Sequence, residues 1–308
     1  MKHLVTLLAS AAIILFGCNK PDPTPEPEPG PDHGQVEQPN DPMKIPIRLS
    51  ADISTKATDI GYENGDEIGI YVVNYTGDTA GDLVDSGNHL DNTKFWLEET
   101  EWKTENEVYW LDQTTKADFY CYYPYSESTS DVTAVKFSVQ EDQSSYENYK
   151  ASELLYGKAE QESPSEDPVQ ITTNHALSNV VIYVNPGNGY TEETLSEEEI
   201  SVTITGVKTT ASLDLRNGSV TAEGDPKDII PYKENSWWRA LVIPQDIIGT
   251  QIIRVTVGPN TYTLNQTVTF EQNTQHRCTI VVNKISEGVN ISIGGWESAE
   301  TDFGGTLD

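Results

Sequence analysis

Alternation of apolar and polar residues is the main pattern of the chain from residue 44 onward. In KIPIRLSAD, the residues Ile45, Ile47 and Leu49 fall on one face of an extended strand, and DEIGIYVVNY repeats the pattern with Ile68 and Ile70. Successive side chains of a strand point to opposite faces, so this period of two predicts half-buried β-strands. Gly, Asn, Pro and Asp separate these segments, as is typical of turns. The pattern predicts an all-β fold built from β-sandwiches.

A polar segment divides the folded region into two parts of ordinary domain size. EQESPSEDP, residues 160–168, is acidic, contains two prolines and has strand-like segments on both sides. We therefore predict two tandem β-sandwich domains, residues 44–165 and 166–308. The segment 148–159 fits either a helical turn or a strand, and the charged stretch 190–200 is predicted to be a hairpin loop.

The N-terminus combines a short basic start with an apolar run that ends at a cysteine. Residues 4–16 are apolar, which suits a secretory signal and is shorter than the ~20 residues needed to span a bilayer. Leu15, Gly17 and Cys18 fit a bacterial lipobox, so residues 1–17 are predicted to be a lipoprotein signal peptide. Acyl chains on Cys18 would then anchor the protein to lipid. An ordinary secretory signal that contains a cysteine is the alternative.

A proline-rich acidic segment follows this cysteine. Residues 19–43 hold eight of the 17 prolines, and most of their other residues are acidic or small. Such a composition cannot bury enough apolar surface to offset the entropy lost on ordering. Frequent proline favours polyproline II, which extends by about 3.1 Å per residue. Residues 18–43 are therefore predicted to be a semi-rigid tether.

Charge and candidate chemistry narrow the classes of function. A formal net charge of −30 argues against nucleic-acid binding, because phosphate backbones require a basic surface. The five histidines are isolated and show no metal-ligand spacing, and neither a nucleophile elbow nor a phosphate-binding glycine loop is present. The acidic run 197–199 is predicted to be a solvated loop rather than a calcium site. We predict no enzymatic activity, metal or cofactor.

The remaining cysteines, Cys121 and Cys278, each lie in an alternating segment. Free cysteine on such a face behaves as a small buried hydrophobic residue. A disulfide between the two, which an exported protein could form, is the alternative.

Exposed tryptophans could bind sugars by stacking. Trp237 and Trp238 are adjacent in a strand-like segment, so their side chains must point to opposite faces. At least one of them is expected to point away from its own core, which makes this pair a candidate glycan-stacking platform. Burial of both in sheet packing is the alternative.

The chain resembles the fimbrillin-like (Mfa-like) lipoproteins of Bacteroidales bacteria over essentially its whole length. Besides the lipobox and acidic tether, the segments that carry the resemblance are STKATD (54–59), GDEIGIYV (65–72), ADFYCYYPY (117–125), ASELLYGKA (151–159), TTNHALSNVVIYV (172–184), LVIPQ (241–245), RCTIVVNK (277–284) and ISIGGW (291–296). The resemblance implies two sandwiches of transthyretin-like topology on a lipid-anchored protein at the outer surface.

The resemblance also implies assembly into a pilus by β-strand exchange. Stalk subunits of the family lose their first strand to a trypsin-like, usually Arg-specific protease, and the C-terminal strand of a neighbour fills the groove. Here the first strand corresponds to residues 44–53, with Arg48 and Lys56 as candidate processing sites. The donor strand corresponds to VNISIGGW, with Val289, Ile291 and Ile293 as its alternating apolar residues. Ordinary edge strands within one subunit are the alternative.

These expectations describe a cell-surface fimbrial subunit or accessory component that acts in cell adhesion. Its expected partners are other fimbrial subunits, outer-membrane lipid through Cys18, and a ligand on a host or bacterial surface. Asp78, Thr79 and Ala80 resemble a short O-glycosylation sequon of this bacterial group, which makes Thr79 a candidate site. A non-polymerising anchor or tip protein and a carbohydrate-binding surface lipoprotein are the alternatives.

Overall fold

The computed structural model describes residues 44–54, 61–285 and 288–300. The predicted signal peptide, the tether, Cys18 and Lys56 lie outside these residues. Strands dominate the part that is described, which confirms the all-β prediction. No helix within these ranges is long and apolar enough to cross a membrane.

The secondary-structure elements follow one another as a long series of strands with two short helices. In chain order they are β1 (Leu49–Ile53), β2 (Glu67–Asn74), β3 (Leu90–Glu98), β4 (Glu101–Lys103), β5 (Ala117–Tyr123), β6 (Val135–Ser138), α1 (Tyr146–Lys150), β7 (Leu155–Glu162), β8 (Val169–His175), β9 (Ser178–Pro186), α2 (Glu192–Ser196), β10 (Ile200–Asp214), β11 (Ser219–Ile229), β12 (Tyr232–Glu234), β13 (Trp237–Val242), β14 (Gln245–Val257), β15 (Asn260–Phe270), β16 (Thr274–Ile285) and β17 (Gly288–Glu300).

These strands form three sheets. The first has the order β1-β8-β7-β5-β2-β3-β4, and β1 runs parallel to β8. The second has the order β11-β10-β14-β15, with β6 also paired to β10, and the third has the order β12-β13-β9-β16-β17. The apolar residues of the second and third sheets share one buried cluster, so these two sheets form a sandwich.

The central strands β2 and β5 of the first sheet are buried on both faces, which explains their continuous apolar character. On β5, Phe119 and Cys121 face one buried cluster, whereas Tyr120 and Tyr122 face the cluster that also fills the sandwich of the second and third sheets. A sheet with one wet face would show polar residues at every second position. Gly69 on β2 lies opposite Tyr122, and a Cβ at that position would collide with the tyrosine ring.

The predicted domain boundary between residues 165 and 166 does not coincide with the passage of the chain from one sheet to another. Strand β8 follows that boundary but completes the first sheet, and β6 precedes it but pairs with β10 of the second sheet. Along the chain, the step from the first sheet to the third occurs between β8 and β9, at Ala176 and Leu177. The predicted domain limits thus stay a prediction, while the core runs continuously from the first sheet into the sandwich.

A buried polar pair lies where the chain leaves the first sheet. The Nδ1 atom of His175 lies 3.0 Å from Oε1 of Glu153, and both side chains are almost completely buried. The backbone N–H of Leu154 donates to the same carboxyl oxygen, and the N–H of Ala176 donates to the carbonyl of Leu154. A buried ionisable group is costly without a partner. These contacts therefore hold residues 153–154 against residues 175–176, where the chain passes from the first sheet to the third.

Two connections differ from a simple strand pattern. The ambiguous segment 148–159 contains both predicted alternatives, the end of α1 and most of β7. The hairpin-loop prediction for residues 190–200 is wrong, because β9 and β10 lie in different sheets and α2 connects them. Thr191 caps α2 by accepting a hydrogen bond from the N–H of Thr194, and this capping favours a helical turn within the acidic stretch.

The two cysteines of the folded region are free and fully buried in different clusters. Cys121 belongs to the cluster enclosed by the first sheet and Cys278 to the cluster of the sandwich, which excludes the alternative of a disulfide between them in this fold. Burial raises the pKa of the Cys121 thiol well above its usual value and that of Cys278 to about 12.

We therefore expect both thiols to be unreactive in the native protein at mildly alkaline pH, because the reacting species is the thiolate. A colourimetric thiol titration of the chain from residue 19, which lacks Cys18, should detect almost no free thiol until concentrated guanidinium chloride unfolds it. Rapid reaction of either cysteine in the folded protein would contradict its placement in the core.

Candidate functional site

Strand β1 is an edge strand whose side chains fill a core. Ile47, just before the strand, and Leu49 and Ala51 within it are buried in the cluster enclosed by the first sheet. Val169 and Ile171 of β8 lie in the same cluster, and Leu49 and Ala51 pair with them in register. The period of two predicted for this segment is therefore confirmed as a buried face.

Hydrogen bonds fix β1 to β8 at both of its ends. The N–H of Val169 donates to the carbonyl of Arg48 (2.9 Å), and the N–H of Ser54 donates to the carbonyl of Thr173 (2.7 Å). The hydroxyl of Thr173 donates to the carbonyl of Asp52 (3.1 Å). Residues before the strand bond elsewhere, since the N–H of Ile47 donates to a carbonyl in the segment that precedes β5.

The opposite edge of β1 has no hydrogen-bonded strand in the described part of the chain, and it faces a cleft with β4 on the far side. In the part of the chain that the structure describes, β8 is the only strand paired with β1. The cleft has a volume of about 930 Å³ and lies between β1 and the β3–β4 hairpin, with Tyr62, Leu97 and Trp102 in its lining. Residues 49–53 thus have one ladder of backbone hydrogen bonds, to β8, and no ladder on the side of the cleft.

The two candidate processing sites differ in what a cut would release. Arg48 has an exposed side chain, but its carbonyl is bonded to β8 and it precedes β1. A cut after Arg48 would leave Leu49–Ile53 attached to the rest of the chain. Lys56, which lies outside the described residues, follows β1 in the sequence, so a cut after it would separate the whole strand from the rest of the chain.

The candidate donor strand, β17, is an edge strand of the third sheet. Strand β17 pairs antiparallel with β16, and Ile291 and Ile293 occupy register positions opposite Val282 and Ile280, which are fully buried. Ile291 is half-buried against the core of the sandwich. The register position of Val289 continues this alternation along β17.

Two of the other predicted residues lie on the surface. Thr79 is exposed at the end of a tight turn, where it exchanges two backbone hydrogen bonds with Thr76, so its modification stays a prediction. Trp237 is half-buried on the outer face of the third sheet, where its ring lies 6.4 Å from that of Tyr183 and 5.5 Å from the guanidinium carbon of Arg239.

Trp238 is not part of an exposed platform. Its side chain is only 4 % exposed because it points into the sandwich, as the opposite orientation of adjacent strand residues requires. The Nζ atom of Lys233 lies 5.0 Å from the centre of its ring. The two tryptophans therefore cannot act together as the stacking surface that the sequence suggested.

No group of three or more potential metal ligands occurs among the residues described by the structure.

The residues that sequence reasoning missed are those of β8, which supply the backbone edge beneath β1. The alternation of Val169, Ile171 and Thr173 is a sequence signal for a strand there, but alternation does not identify the partner strand.

Comparison with known proteins agrees with this architecture. A sequence model described as Fimbrillin-like matches residues 55–296. The chain belongs to the fimbrillin-like family. This fimbrillin-like protein is 22 % identical over 302 residues to a Bacteroides uniformis protein designated a proposed fimbrium subunit, Fim1C, covering 93 % of this chain and 92 % of that one.

Solved structures share the fold of this fimbrillin-like chain. A proposed cell adhesion protein from Bacteroides uniformis is 22 % identical, with a TM-score of 0.63 over 85 % of this chain and 99 % of that chain. A proposed cell adhesion protein from Bacteroides ovatus is 15 % identical, with a TM-score of 0.65 over 82 % and 96 % of the two chains. At these identities the similarity concerns the fold.

We expect Leu49→Ala to lower the free energy of unfolding by about 2–5 kcal/mol, because it leaves a cavity beneath β1. Asp52→Ala, in the same strand but with an exposed side chain, should change it by less than about 0.5 kcal/mol. Chemical denaturation of both variants measures the difference. Equal stability of the two variants would show that β1 contributes little to the core.

Proposed function

We propose that this protein is a cell-surface fimbrial subunit that acts in adhesion and assembles by exchange of β-strands. The proposal rests on the position of β1 at the edge of the first sheet. This strand contributes buried side chains to a core, yet along its length it pairs with a single strand in the described part of the chain. Membership of the fimbrillin-like family and the similarity to Fim1C support the same function.

Loss of β1 would create an acceptor groove. The N–H and C=O groups of Val169–Thr173 that bond β1 would become unpaired, and the space filled by Ile47, Leu49 and Ala51 would open. Unpaired backbone groups and exposed apolar surface are both unfavourable in water, with roughly 1.5–3 kcal/mol for each large apolar side chain. A strand from another molecule that restores both contacts would therefore bind firmly.

Strand β17 has the properties required of a donor. It occupies the edge of the third sheet, so it can leave β16 without breaking the centre of a sheet. Val289, Ile291 and Ile293 recur every second residue, which matches the spacing of Ile47, Leu49 and Ala51. Insertion of β17 from one subunit beside β8 of the next would repeat head to tail and give an open filament.

The proposed processing step is a cut after Lys56 rather than after Arg48, because only the former separates all of β1 from the remaining chain. The proposed anchor is lipid on Cys18, with residues 18–43 as a tether that holds the subunit away from the outer membrane. Both features would keep an unassembled or basal subunit at the cell surface.

The test treats the purified chain from residue 19 with a Lys-specific and, separately, an Arg-specific protease. We expect a detergent-resistant ladder on an unboiled denaturing gel only where intact mass shows loss of residues up to Lys56. Lys56→Gln should abolish the ladder produced by the Lys-specific enzyme. A ladder that forms while β1 remains on the chain would contradict the proposal that a strand from another subunit takes the place of β1.

Two donor variants separate strand exchange from nonspecific association. Ile291→Asp places a charge at an apolar position of β17 and should abolish the ladder, whereas Asn290→Asp, at the neighbouring register position, should preserve it. Equal effects of the two variants would reject β17 as the donor. Absence of any ladder with β1 intact and protected would favour a non-polymerising anchor or tip protein.

A further inference from the structure

We propose that a pocket at one end of the sandwich binds a neutral saccharide unit. The pocket has a volume of about 410 Å³ and lies between α2, the end of β9 and the β12–β13 turn. This volume is within the range of roughly 300–1,000 Å³ that is typical of small-molecule sites. The site is separate from β1 and β17, so the proposal does not depend on strand exchange.

The inner part of the pocket is apolar. Leu195 of α2, Val184 of β9 and Trp238 of β13 are buried residues that line it, and half-buried Ile200 adjoins them. A pyranose ring presents a face of C–H groups, and an indole in an apolar setting is a suitable surface for that face. Trp238 thus has a role in a pocket, which differs from the exposed platform expected from the sequence.

The rim of the pocket offers both donors and acceptors of hydrogen bonds. Asn185 and Asn235 supply amides, Ser236 supplies a hydroxyl, and Glu192 supplies a carboxylate, and all four residues are exposed to solvent. Sugar hydroxyls donate and accept at the same time, so a mixed rim suits them better than a rim of one kind. Asn235 has a φ of 53°, which turns the chain sharply beside the pocket.

Lys233 covers the ring of Trp238 in the structure. Its Nζ atom lies 5.0 Å from the ring centre, and its long exposed side chain has many rotamers. A sugar that stacks on the indole would take the place of this ammonium group, which could then donate to a hydroxyl at the rim. The carboxylates of Glu192 and Glu198 in the lining outnumber this one cation, so an anionic sugar is disfavoured.

The test is calorimetric titration of the full-length protein in detergent micelles with methyl glycosides of glucose, galactose and N-acetylglucosamine, and with glucuronic acid as the anionic comparison. We expect at least one neutral glycoside to bind with a stoichiometry of one, more tightly than glucuronic acid. Failure of all the neutral glycosides to bind, or tighter binding of glucuronic acid, would overturn the proposal.

Variants then locate the bound sugar. Ser236→Tyr fills the pocket from an exposed position and should abolish binding, while Glu192→Gln should weaken it about tenfold. Glu193→Gln alters the adjacent residue of α2, which does not line the pocket, and should leave affinity unchanged. Unchanged binding by Ser236→Tyr, with unfolding as in the parent protein, would mean that the sugar binds elsewhere and would reject this site.

Discussion

The pairing of β1 with β8 is the contact on which the first half of the molecule depends. It joins a backbone ladder at a sheet edge to the burial of three alternating apolar side chains, Ile47, Leu49 and Ala51. An edge strand is usually the least committed part of a sheet, because half of its backbone groups face solvent. Here the edge strand also completes a core, so the same contact stabilises the subunit and defines the groove that its loss would open.

Burial of the central strands β2 and β5 on both faces connects the first sheet to the sandwich. Tyr71 and Tyr122 extend the core of the sandwich onto this sheet, while Ile70 and Phe119 face the separate cluster beneath β1. The buried pair of Glu153 and His175 lies at the same junction, where a charged group without its partner would be strongly destabilising. Loss of β1 would therefore expose the cluster that contains Ile47, Leu49 and Ala51, which is distinct from the core shared with the sandwich.

The exposed edges of the second and third sheets carry different kinds of residues. Strand β11 ends one sheet and contains Asp225, Pro226 and Lys227, which discourage pairing with another chain through charge and a missing N–H. Strand β17 ends the other sheet with an apolar alternation that includes Ile291. This difference favours association through β17 over association through β11 in a strongly acidic protein.

The sequence by itself determined the all-β class, the buried faces of segments such as β1 and β16, and the resemblance to fimbrillin-like proteins, because period two and turn residues are local properties. Only the tertiary structure decided which strands are neighbours, since alternation identifies a face but carries no information about the partner across the ladder. For that reason β8 was missed as the partner of β1, and the sequence could not decide which of Trp237 and Trp238 points into the sandwich. The separation of Cys121 from Cys278 was decided in the same way, by the packing of distant strands into two clusters.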